Sequence, residues 1–185
     1  GPHAPYTCPP DALQACAELA DELGVGIHIH LSETRDEVEE ARRNWGKSPI
    51  RHVYDLGLMK GRHVVAAHCV HVDDDDIAIL AETGTGVCHC PVSNLKLASG
   101  RTPVAKMRRK GVAVGFGTDG ASSENMLHIL GSAMRIGAIQ AQELEGDPAV
   151  YTAYDAVAMA TIEAARVLGI ESEIGSLEPG KKADL

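Results

Sequence analysis

Apolar positions along the chain fall into two kinds of run. Short, nearly unbroken stretches at 25–31, 63–68, 86–90 and 112–119 have the length and small or β-branched content of buried strands, and each closes on a polar turn. The intervening stretches carry apolar residues at helical spacing. Leu13, Cys16, Leu19, Ala20 and Leu23 predict a helix over 12–23, stopped by Gly24. Further helices are predicted over 34–44, 49–56, 73–82, 102–110, 124–144 and 152–168, with 91–101 a loop. The aspartate run Asp73 to Asp76 opens its helix, where the helix dipole favours negative charge, so no metal is needed to explain it. Residues 174–185 have the Gly and Pro spacing of turns between short strands.

Strand, polar turn and helix repeat four times in that order. The fold class is therefore α/β, a parallel sheet covered by helices, either doubly wound or part of a (β/α) barrel. In both, chemistry gathers at the C-terminal ends of the strands. At 185 residues the chain has one domain's length, and with 44% hydrophobic and 3% aromatic residues its core is mostly Ala, Val, Ile and Leu. A net charge of -9, with no basic run interleaved with aromatics, argues against a nucleic-acid surface. No apolar run is long enough to span a bilayer. Five scattered cysteines fit a reducing, cytoplasmic setting. The chain starts Gly1-Pro2-His3 without an initiator Met and ends where a strand is expected to begin, so it reads as a piece of a longer protein.

Three strand ends carry chemistry: His30 with Glu33, His68, and Asp119. Strand alternation puts His28 and His30 on one face and Ile27 and Ile29 on the other. Taken singly, a strand histidine is more often a hydrogen-bonded core residue than a ligand, and Asp119 also reads as the cap of the next helix. Their convergence on one end of one sheet favours function. Imidazole and carboxylate donors suit Zn²⁺ or Fe²⁺, which lower the pKa of bound water. Cys88 and Cys90 face one way and His89 the other, so they cannot share one ion and read as buried packing. His52, His63, His71 and His128 read as structural or solvated, and His28 as lying one layer deeper than His30.

Five stretches, in order, carry a resemblance: Gly1-Pro2-His3-Ala4-Pro5-Tyr6-Thr7-Cys8, His28-Ile29-His30-Leu31-Ser32-Glu33-Thr34, Ala67-His68-Cys69-Val70-His71, Pro91-Val92-Ser93-Asn94-Leu95-Lys96-Leu97, and Gly117-Thr118-Asp119-Gly120-Ala121-Ser122-Ser123-Glu124-Asn125. Together they resemble the metal-dependent amidohydrolase superfamily, within it the methylthioadenosine/S-adenosylhomocysteine deaminases and their chlorohydrolase and guanine deaminase relatives. The resemblance implies a (β/α)₈ barrel of which residues 1–173 supply the fifth to eighth strands, with 174–185 starting a small β domain. It implies one divalent metal, zinc first with iron or manganese as alternatives, held by His30 and Asp119. Glu33, His68 and Asp119 are then catalytic, with His3, Glu33 and Asp119 contacting substrate. The implied reaction is hydrolytic deamination of the adenine ring of S-adenosylhomocysteine, methylthioadenosine or adenosine, releasing ammonia by attack of metal-activated water. Guanine, another aminated heterocycle or a triazine stays open as substrate, as does a non-catalytic α/β binding domain. The expected partner is a small purine nucleoside or related heterocycle, with no nucleic acid and no membrane; a homo-oligomer is left open. Two further ligands, a His-x-His pair on the family's first strand, match nothing here, so this chain alone is expected to be inactive.

Overall fold

The computed structural model describes residues 1–183. Four strands, β1 (Ile27–Leu31), β2 (Val64–His68), β3 (Gly86–His89) and β4 (Val114–Phe116), form a parallel sheet in the order β1-β2-β3-β4. That order decides between the two architectures left open above. A doubly wound sheet reverses its strand order at a switch point, whereas parallel neighbours in chain order make an arc of a (β/α) barrel.

Helix α1 (Pro10–Leu23) precedes the sheet. Crossovers are made by α2 (Arg35–Trp45) with α3 (Pro49–Asp55), by α4 (Asp74–Thr83), and by α5 (Pro91–Lys96) with α6 (Val104–Arg109). After β4 come α7 (Ala121–Glu124), a π-helical turn (Ile129–Ala133), α8 (Met134–Glu145), α9 (Ala153–Ala160) and α10 (Ile162–Leu168). The pleat separates two faces. Ile29, Ala66, Val87 and Val114 align across the sheet on the face buried beneath the crossover helices, where Leu13, Ile50, Ile77, Leu80 and Met107 complete the core. His30, Ala67, Cys88 and Gly115 align on the other face, with His28, Val65 and Gly86 one row below.

α10 packs against this second face, over β3 and β4. A Cβ on Gly115 would lie 2.6 Å from Ala164 Cα, and one on Gly86 would lie 2.8 Å from Val167 Cα. Only glycine lets the helix backbone come that close. His63, at the foot of β2, donates from Nε2 to Val167 O at 2.8 Å and ties the helix down.

Four expectations are corrected. The segment 91–101, read as a loop, opens with α5: Pro91 suits a first helical position, and Ser93 and Asn94 are anchored by partners 26 residues away, His68 and Asp119. The long helix predicted over 124–144 is broken after α7. There Asn125 (φ 79) and Leu127 (φ 50) are left-handed, while the Glu124 carboxylate takes the Leu127 amide and the Ser132 hydroxyl. The helix predicted over 152–168 is divided at Thr161 (φ -130, ψ -100), which turns α10 onto the sheet. Residues 174–183 form turns rather than strands, and the last two positions of the expected β segment, 184 and 185, lie outside the described residues. Among the described residues no helix is long and apolar enough to cross a membrane, and all five cysteines are free thiols.

Candidate metal centre at the strand ends

The three strand ends singled out by sequence meet. Ligand atoms of His30, His68 and Asp119 all lie within 4.8 Å of one another. The backbone beneath them is strained. Ser32 (φ 52) follows β1, His68 (φ 72) and Cys69 (φ 47) end β2, and Asp119 (φ 63) follows β4; each is a non-glycine residue in the left-handed region. Such geometry costs about 1–3 kcal/mol per residue and gathers where placement of a side chain matters more than stability.

Hydrogen-bond directions fix the state of each imidazole. His3 O, a carbonyl, can only accept, and it lies 2.7 Å from His30 Nδ1 and 3.0 Å from the His30 amide. His30 therefore carries its proton on Nδ1 and leaves Nε2 as a lone pair. His68 is fixed by a longer chain. Thr102 Oγ1 donates to His68 O at 2.9 Å, so it accepts from Asn94 Nδ2 at 3.2 Å, which turns Asn94 Oδ1 toward His68 Nδ1 at 2.8 Å. Nδ1 of His68 is thus the donor and Nε2 is again bare. His3 obeys the same logic: Thr7 Oγ1 donates to Ala4 O, and His3 Nδ1 donates to Thr7 Oγ1 at 2.7 Å. The rings pack together, with centroids 4.9 Å apart for His3 and His30 and 5.4 Å for His30 and His68.

Asp119 supplies the charge. Burial pulls its pKa up, but hydrogen bonds from Ser93 (2.6 Å to Oδ2), the Gly120 amide and Ser123 outweigh burial and hold it below the usual value. Bare imidazole nitrogens facing an ionised carboxylate are the donor chemistry that Zn²⁺, Fe²⁺ or Mn²⁺ takes, and the residues present fit such an ion. Glu33 stands beside them: Ser99 Oγ donates to its Oε1 at 3.0 Å, leaving Oε2 3.7 Å from His68 Nε2. His28 sits lower on the same face, its ring 6.4 Å from that of His30, and burial followed by neighbouring positive charge lowers its pKa.

Among the other residues weighed, Cys88 and Cys90 do share a face, their sulfurs 3.9 Å apart, while His89 is wholly buried on the opposite side. His71 Nε2 donates to Ser99 O at 2.7 Å and so supports the residue that holds Glu33. Sequence reasoning passed over Glu37, Ser99 and Thr102, whose partners lie in other turns or strand ends. Only the Pro91-Val92-Ser93-Asn94 motif carried a visible signal for the supports of His68 and Asp119.

The amidohydrolase family model matches residues 1–185. The chain belongs to the amidohydrolase family. It is 98% identical over 185 residues to the 5-methylthioadenosine/S-adenosylhomocysteine deaminase of Symbiobacterium thermophilum, covering all of this chain and 42% of that protein. Among solved structures, it is similar to a zinc-bound adenosine deaminase from Xanthomonas campestris (TM-score 0.94, 39% identity, 99% of this chain and 41% of the other). It is also similar to E. coli guanine deaminase (TM-score 0.88, 30% identity, 98% of this chain and 41% of the other). The chain thus spans less than half the length of its amidohydrolase relatives.

Proposed function

We propose that this chain is the metal- and proton-handling part of a hydrolase that deaminates the adenine ring of S-adenosylhomocysteine, 5-methylthioadenosine or adenosine. The observation that carries the reading is the meeting of ligand atoms of His30, His68 and Asp119 within 4.8 Å, with Glu33 Oε2 beside His68. The name of the Symbiobacterium thermophilum relative favours the adenine nucleosides over the other heterocycles. Free thiols throughout fit work in a reducing cytoplasm.

His30 and Asp119 would hold a divalent cation, zinc first and iron or manganese otherwise. Such an ion supplies a water of lowered pKa and the charge to stabilise it as it attacks. The protein groups do the rest. Asp119, its Oδ2 held by Ser93, takes a proton from the attacking water and passes it to the amine, which leaves as ammonia when the C–N bond breaks. Glu33, with Oε1 occupied by Ser99, uses Oε2 to deliver a proton to the ring nitrogen next to the carbon under attack. His68 offers Nε2 as acceptor and aligns the water, its ring locked by Asn94. His3 presents its bare Nε2 to the substrate. Two more ligands are expected from the part of the relatives this chain does not span, so the chain by itself is inactive.

The test places this chain in the frame of the full-length Symbiobacterium thermophilum relative and measures ammonia release from S-adenosylhomocysteine, 5-methylthioadenosine, adenosine and guanine. Release from an adenine nucleoside, lost by about 10²–10⁴-fold in Glu33→Gln with metal retained, is the expected result. Release from guanine alone, or full turnover in Glu33→Gln, would overturn it.

A further inference from the structure

Glu37 is a carboxylate that the proposed chemistry leaves unused, and it is 6% exposed. It occupies the third position of α2, whose cap Thr34 accepts the Glu37 amide at 3.1 Å. In an ordinary capping box the glutamate at this position would turn back to the amide of the capping residue and stop there. Here it goes further. Oε1 accepts from the Ser32 amide at 2.8 Å and Oε2 from the Glu33 amide at 2.7 Å, while the Thr34 amide also helps to hold its charge. Ser32 is left-handed at φ 52, and this bend turns successive amides into a concave anion cradle. The anion that fills the cradle is the protein's own side chain. Burial raises the pKa of Glu37, so keeping a carboxylate there is costly, and the amides offset that cost.

The geometry points to Glu37 as the positioning residue for Glu33: its carboxylate fixes the peptide that carries Glu33, while Ser99 fixes the Glu33 carboxylate itself. The two supports divide the work. Ser99 chooses which oxygen faces His68, and Glu37 sets where the Glu33 Cα stands. A glutamine at 37 presents one oxygen and one NH₂ group, so one of the two amides would meet another donor and the turn would have to shift.

This inference rests on the proposed deaminase reading and is tested in the same full-length frame. Glu37→Gln is expected to stay folded with a lowered melting temperature, about one metal per chain and an unchanged substrate KM, while kcat falls about 10- to 100-fold, the penalty of displacing a reacting group by roughly an ångström. Unchanged kcat in the folded, metal-loaded variant overturns the assignment. Should Glu37→Gln alone fail to fold, the Ser32→Gly background removes the left-handed strain. The double variant is then expected to fold with the same loss of kcat, and full kcat there overturns the proposal equally. If the parent protein releases no ammonia from any purine nucleoside, the deaminase reading fails by itself. Glu37 is then judged by hydrogen exchange at the Ser32 and Glu33 amides: protection lost in the double variant supports the clamp, and unchanged protection removes it.

Discussion

At their C-terminal ends three of the four strands, β1, β2 and β4, finish in left-handed, non-glycine residues, and what they display is polar: His30, Glu33, His68 and Asp119, each held by at least one hydrogen bond. Within the strands of the same sheet, on the face that carries His28 and His30, the display is glycine and small apolar residues, and α10 lies so close to Gly86 and Gly115 that no side chain fits. The strand ends give up backbone comfort to place polar groups, and the strand interiors give up side chains to obtain close packing. The contrast teaches that the proposed chemistry and the packing are carried by different stretches of the same strands, so substitutions at each should read out differently.

Glu33→Gln in the full-length frame gives the largest separation: turnover falls about 10²–10⁴-fold while the melting temperature stays put, measured by ammonia release beside a thermal scan. Beneath α10, Gly115→Val reverses the pattern. Its side chain would collide with the α10 backbone, so stability drops by about 1–3 kcal/mol or more while turnover per folded molecule is retained, read by denaturant titration. A smaller effect sharpens the polar end alone. Asn94→Ala removes the acceptor that fixes the His68 tautomer, and metal affinity or turnover should fall about 10- to 100-fold without a comparable loss of fold.

The smallest effect tests the layer between. His89 is wholly buried, neither ring nitrogen has a hydrogen-bond partner, and burial lowers its pKa to about 3. Its folded pKa thus lies below its unfolded value, so the unfolded chain binds the extra proton as pH falls. The stabilising contribution is complete above about pH 6.5 and is lost from there down toward pH 3, at no more than about 1.4 kcal/mol per pH unit. A His89→Met variant should show a shallower acid slope in that window, checked by urea titrations at several pH values.

The polar end was the more legible in the sequence. His30, His68 and Asp119 each close a short apolar run, and strand alternation alone put Cys88 apart from His89. The breaks in the predicted helices were not legible, because they are imposed from elsewhere: Thr161 turns so that α10 can reach the sheet, and Asn125 is held by Lys96 at 2.7 Å, 29 residues away. Nor was the support of Glu33 by Ser99, 66 residues distant, since no local period encodes a contact made only when two strand ends meet. Glu37 was hidden differently. Its spacing from Thr34 is that of a helix cap, and only the left-handed Ser32 shows that its carboxylate serves the turn before the helix as well.

His30 and Asp119 are the proposed holders of a metal at these strand ends. That role is tested most directly by elemental analysis of the full-length frame carrying this chain, compared with its His30→Ala/Asp119→Ala variant. About one divalent ion per chain in the parent and a near-complete loss in the folded variant is the predicted result. An ion retained at full occupancy by the folded double variant would contradict it and move the centre elsewhere.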